Sequence, residues 1–96
     1  MKRYEILKML ERIRGEVKQK YKADIKGIFG SYARGDNRKE SDIDVLVDFE
    51  EEADLFDLVG LSLFLEKKLK CQVDIVPQGS LREEIKPYVL KEVMYL

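Results

Sequence analysis

The chain predicts an α/β (α+β) fold: a small mixed β-sheet with helices packed on it, in the order α-β-(α)-β-α-β-α. Three observations carry this. Ile6, Leu10, Ile13 and Val17 recur at helical spacing among charged residues. Asp42 to Phe49 alternates, with Ile43, Val45, Val47 and Phe49 on one face and Asp42, Asp44, Leu46 and Asp48 on the other. A third apolar run, Gln72 to Val76, follows after a stretch long enough for a helix.

The first helix is expected over Lys2 to about Tyr21, weakened near Gly15 by that residue's low helix propensity. Ile25 to Phe29 reads as a strand running into a tight turn at Gly30. Ser31 to Ser41 reads as a short helix and a polar loop, with Gly35 ending the helix in a left-handed conformation. After the second strand, Glu50 to Ala53 forms an acidic turn and Asp54 caps a helix over roughly Leu55 to Leu69. That helix is apolar over a wide arc and is expected to be well buried. Pro77, Gly79 and Ser80 end the third strand, with Ser80 as an N-cap. Leu81 to Leu96 is expected to form a short helix, a break at Pro87 and a last amphipathic turn, with Tyr88, Val89, Val93, Met94, Tyr95 and Leu96 as a core stripe.

Ninety-six residues make one domain, 1–96, with a single core. At 45% hydrophobic and 39% charged residues the chain reads as globular, and a net charge of −1 gives no bulk positive field for a stable nucleic-acid partner. The absence of histidine excludes a histidine triad, a histidine general base and a histidine-metal site. One cysteine, Cys71, excludes a cysteine-rich zinc site and an internal disulfide, and is read as a small core residue of a cytoplasmic protein. No apolar run is long enough to span a membrane, and no secretory leader is seen. Any metal must therefore sit on oxygen ligands, which favours magnesium, manganese or calcium.

The chemistry rests on Gly30-Ser31, ten further residues, then Asp42-Ile43-Asp44. Alpha carbons two apart on a strand lie about 6–7 Å from each other, with both side chains on one face. Two carboxylates there repel by roughly 2–3 kcal/mol at an effective dielectric near 20, a large share of a stability of about 5–15 kcal/mol. A divalent cation turns that repulsion into attraction. Asp74, flanked by Val73 and Ile75, would join the same site if its strand neighbours the second one. Gly30 lets the backbone approach a phosphate closely, Ser31 offers a hydroxyl, and Arg34 lies one turn further on. The pattern implies metal-dependent transfer of a nucleotide.

Gly30-Ser31-Tyr32-Ala33-Arg34-Gly35, followed by Ser41-Asp42-Ile43-Asp44-Val45-Leu46-Val47, resembles the minimal nucleotidyltransferases of the DNA polymerase beta-like superfamily. Gln72 to Val76 is similar to that family's third-acid strand, and Leu81 to Leu96 to its closing segment. The resemblance implies Asp42 and Asp44 as catalytic residues and, with Asp74, as ligands of two magnesium ions, manganese being an alternative. It implies Gly30 and Ser31 as triphosphate contacts, and ATP as substrate. It also implies an antitoxin that transfers AMP to a tyrosine hydroxyl of a HEPN-type toxin. Tyr32 departs from the pattern, standing where relatives often carry arginine, and no helical acceptor domain is present. Two other readings remain at this point: an idle antitoxin that neutralises by binding, and a small-molecule nucleotidyltransferase.

Overall fold

The computed structural model describes residues 1–96. The elements are α1 (Arg3–Tyr21), β1 (Ala23–Phe29), α2 (Gly30–Arg34), β2 (Ile43–Phe49), α3 (Leu55–Leu69), β3 (Val73–Pro77), α4 (Lys86–Glu92) and β4 (Met94–Tyr95), with a 3-10 turn over Gln78–Ser80. The sheet order is β3-β2-β1-β4. β1 pairs antiparallel with both β2 and β4, while β2 and β3 run parallel. A parallel neighbour requires a crossover, and α3 supplies it.

Alternation sorts the two faces of the sheet. Ile43, Val45 and Val47 join Ile6, Leu10 and Val17 of α1 and Leu61, Leu65 and Leu69 of α3 in one buried cluster. Leu46 is also fully buried but lies outside that cluster, on the face it shares with Asp44. In β1 the buried positions change from Ala23 and Ile25 to Ile28, because the register slips between Ile25 and Gly27. Gly27 is required there: a Cβ would overlap the Met94 carbonyl oxygen and come within 2.9 Å of the Tyr95 Cα.

Helix boundaries follow local chemistry. Asp54 accepts the Asp57 N–H and Asp57 returns the bond to the Asp54 N–H, closing a capping box at the start of α3. Gly35 closes α2 in the left-handed region, as its position predicts. The exposed Gly15 does not interrupt α1, since Ile6, Leu10 and Val17 bury enough apolar surface around it to outweigh its propensity.

Several expectations are corrected. α3 buries only Leu61, Leu65 and Leu69, leaving Phe56 at 87% and Leu63 at 63% exposure. β3 is an edge strand, so the sheet and α1 cover one side of α3, where Phe64 packs on Tyr21, and Leu55, Phe56, Val59 and Leu63 stay exposed. Pro87 opens α4 instead of breaking a helix, because its missing N–H costs nothing in a first turn. Ser80 does not cap a helix; its hydroxyl donates to the Pro77 carbonyl. The C-terminal stripe is not a core stripe: Val93 is buried, but Tyr88 and Tyr95 are exposed, and Met94–Tyr95 extends the sheet as β4. Cys71 is only half-buried.

Candidate active site

The parallel pairing of β2 with β3 places Asp44 directly opposite Asp74. Each is the second residue of its own strand, Asp44 of β2 and Asp74 of β3, and Asp42 immediately precedes β2. The antiparallel pairing with β1 sets Phe29 opposite Asp44, which brings the β1–α2 turn onto the same spot. Gly30 adopts φ +75°, and a Cβ there would overlap the Asp44 carboxylate. Thus Gly30, Asp44 and Asp74 meet, although they are far apart along the chain. Asp42 and Asp74 are exposed, while Asp44 is half-buried.

Electrostatics single out Asp44. Partial burial, the charges of Asp74 and Asp42, and a hydrogen bond with Asp74 push its carboxyl up to about 6, with Arg34 pulling the other way. The side chains do not close into a three-acid cage. Asp44 and Asp74 are the closely coupled pair, and Asp42 acts on Asp44 through its charge. An all-oxygen donor set of this charge suits a hard divalent cation, so these residues fit the group that the sequence implies.

This coupling makes stability depend on pH. A carboxyl whose folded value of about 6 exceeds its ordinary 3.8 binds its proton more tightly in the folded state, so stability falls as pH rises through that interval. After discounting for solvent screening, the effect is about 1–2 kcal/mol. Asp44→Asn is therefore expected to raise the unfolding midpoint at pH 7 in chelator and to flatten its change between pH 5 and 7. Denaturant melts at both pH values check this. An unchanged profile in the variant would show that the carboxyl is not strained.

Arg34 is half-exposed and tied by two carboxylates: its Nε donates to Asp36 at 3.2 Å and its Nη1 to Glu92 at 3.0 Å. Glu92 also accepts the Gly30 N–H at 2.7 Å. Sequence reasoning missed Glu92, which lies 62 residues from Gly30, and no local motif marks it. Ser31 is half-buried in the first turn of α2, and its carbonyl accepts the N–H groups of Gly35 and Asp36. Tyr32 is buried, its hydroxyl 3.6 Å from Cys71 Sγ, which removes it from the exposed face of α2. A groove of about 290 Å³ between α3 and β3, lined by Leu58, Val59, Leu63 and Ile75 among others, includes Asp74.

An acid pair on adjacent strands beside a glycine-serine turn defines a nucleotidyl-transfer fold, and comparison with known proteins agrees. Residues 10–96 match the family described as the nucleotidyltransferase domain. The chain belongs to this family, and it is a nucleotidyltransferase. It is 39% identical over 92 residues to the protein adenylyltransferase MntA of Thermococcus cleftensis, covering 96% of this chain and 93% of that protein. A solved structure described provisionally as a minimal nucleotidyltransferase superposes with a TM-score of 0.76 at 39% identity, covering 94% of this chain and 95% of that one. A toxin–antitoxin crystal structure with AMP-PNP shares the fold, with a TM-score of 0.69 at 24% identity over 99% of this chain and 72% of that one. No helix is long and apolar enough to cross a membrane.

Proposed function

We propose that this chain, acting as a single minimal nucleotidyltransferase unit over residues 1–96, transfers AMP from ATP to a tyrosine hydroxyl of a HEPN-type toxin in the cytoplasm. The observation that carries this reading is the contact of Gly30 with Asp44, itself paired across the sheet with Asp74. The similarity to a protein adenylyltransferase along nearly the whole of both chains supports the choice of a protein acceptor.

In this reading Gly30, Ser31 and Arg34 grip the triphosphate, and Asp42, Asp44 and Asp74 hold magnesium, with manganese as a substitute. Divalent cations there would offset the charge of the triphosphate and of the departing pyrophosphate. The acceptor oxygen forms a bond to the α-phosphorus, while the bond from that phosphorus to the bridging oxygen breaks. Pyrophosphate leaves with the electron pair, and Asp74, the most open of the coupled pair, takes the hydroxyl proton and passes it to water. The α3–β3 groove leads to Asp74, giving the acceptor side chain an apolar approach.

Intact-mass analysis tests this. A HEPN-type toxin, incubated with this chain, ATP and magnesium, is expected to gain one or more adenylyl groups on tyrosine. A partner that binds and is neutralised with no mass gain would overturn transfer. It would favour instead the binding-only reading, to which the exposed Phe56 and Leu63 of α3 would lend a surface.

A further inference from the structure

The Glu92 carboxylate stands on the donors that the proposed function assigns to the triphosphate. Its Oε1 accepts the Gly30 N–H at 2.7 Å, and its Oε2 accepts Arg34 Nη1 at 3.0 Å. Asp36 takes the Nε of the same guanidinium. A phosphate oxygen seeks the same partners, because charge-assisted bonds from a backbone N–H and a guanidinium fork suit any compact anion. One N–H cannot serve both acceptors fully.

The element that delivers Glu92 is lightly held. α4 has seven residues, none of them buried, and Glu92 is its last. The anchor lies just beyond: Val93 is buried, β4 pairs with β1, and the Leu96 N–H donates to the Lys26 carbonyl at 2.9 Å. An element with few buried contacts detaches at low free-energy cost, and here it can do so without disturbing the sheet.

We infer that Glu92 is an internal competitor for the nucleotide's phosphates, and that α4 is a strap whose carboxylate must leave Gly30 and Arg34 before the triphosphate is gripped. The inference rests on the proposed reading of Gly30, Ser31 and Arg34 as phosphate contacts. It adds a closed, self-occupied state that limits nucleotide affinity.

Calorimetric titration with a non-hydrolysable ATP analogue in magnesium, and separately with AMP, tests it on the parental protein, Glu92→Ala and Glu92→Gln. Removing the competitor tightens analogue binding by the inverse of the open fraction, about tenfold for a strap that is open in about one molecule of ten. Glu92→Gln, a neutral and weaker acceptor, should fall between. AMP, which lacks the outer phosphates, should bind all three alike. Hydrogen exchange of α4 amides in the parental protein should rise when the analogue binds. A merely structural Glu92 would weaken both ligands on truncation, and that result overturns the inference. So does equal tightening of both ligands, or unchanged analogue affinity in Glu92→Ala while the parental protein binds the analogue and loses it on Ser31→Ala and Arg34→Ala. If the parental protein does not bind the analogue, or those two substitutions leave its affinity unchanged, the phosphate-contact reading falls as well.

Discussion

Asp42→Asn and Asp44→Asn are each expected to slow nucleotidyl transfer by about a thousandfold or more, because each removes a charge from the acidic cluster while keeping side-chain size. The loss is chemical and not structural. Neither residue belongs to the buried cluster that joins the sheet to α1 and α3. Asp44→Asn should in fact stabilise the metal-free protein at neutral pH, since it removes a carboxylate that burial and two like charges disfavour. Single-turnover transfer rates, read beside unfolding midpoints, separate the two effects. A variant with raised or unchanged midpoint and near-parental rate would defeat the mechanism.

Gly30→Ala is expected to cost at least about a hundredfold in transfer, since sub-ångström placement of reacting groups governs such rates. Two independent causes act on the same atom pair. The residue sits at φ +75°, where an L side chain is strained, and the new Cβ would overlap the Asp44 carboxylate. The carboxylate must swing away from Asp74, or the turn must retreat from the site. Gly35→Ala is the matched control. It is strained at φ +84°, but its Cβ would meet only the Arg3 guanidinium, at 3.2 Å from the Nη1 that donates to the Ala33 carbonyl, and no site carboxylate. It should lower the unfolding midpoint through backbone strain, with little effect on transfer. Equal activity losses in both variants would mean that strain in α2, and not contact with Asp44, is what matters.

Much of the fold was legible because its signals are local. The spacing of Ile6, Leu10 and Val17 reports a helix laid on one face, and all three are fully buried. Alternation along β2 sorted Ile43, Val45 and Val47 from Asp44 and Leu46, and the faces divide that way. Asp54 and Gly35 mark helix ends because capping and left-handed turns depend on a few neighbouring residues. Burial of α3 is not legible in the sequence for the converse reason. Leu55, Phe56, Val59 and Leu63 are apolar in the sequence, but whether they are covered depends on what lies beyond β3, the edge of the sheet. The same holds for Tyr88 and Tyr95, and for β4, whose two residues are a strand only because β1 offers an open edge.

The order of residues alone determined the candidate acids, the phosphate turn and the exclusion of histidine chemistry, since these depend on side-chain type and short spacing. Only the folded arrangement decided that Asp74 faces Asp44 across a parallel ladder, that Gly30 rests on the same carboxylate, and that Glu92 occupies the donors of Gly30 and Arg34. Strand order and helix docking are set by the burial of the whole apolar surface at once, and no short window of residues carries that sum.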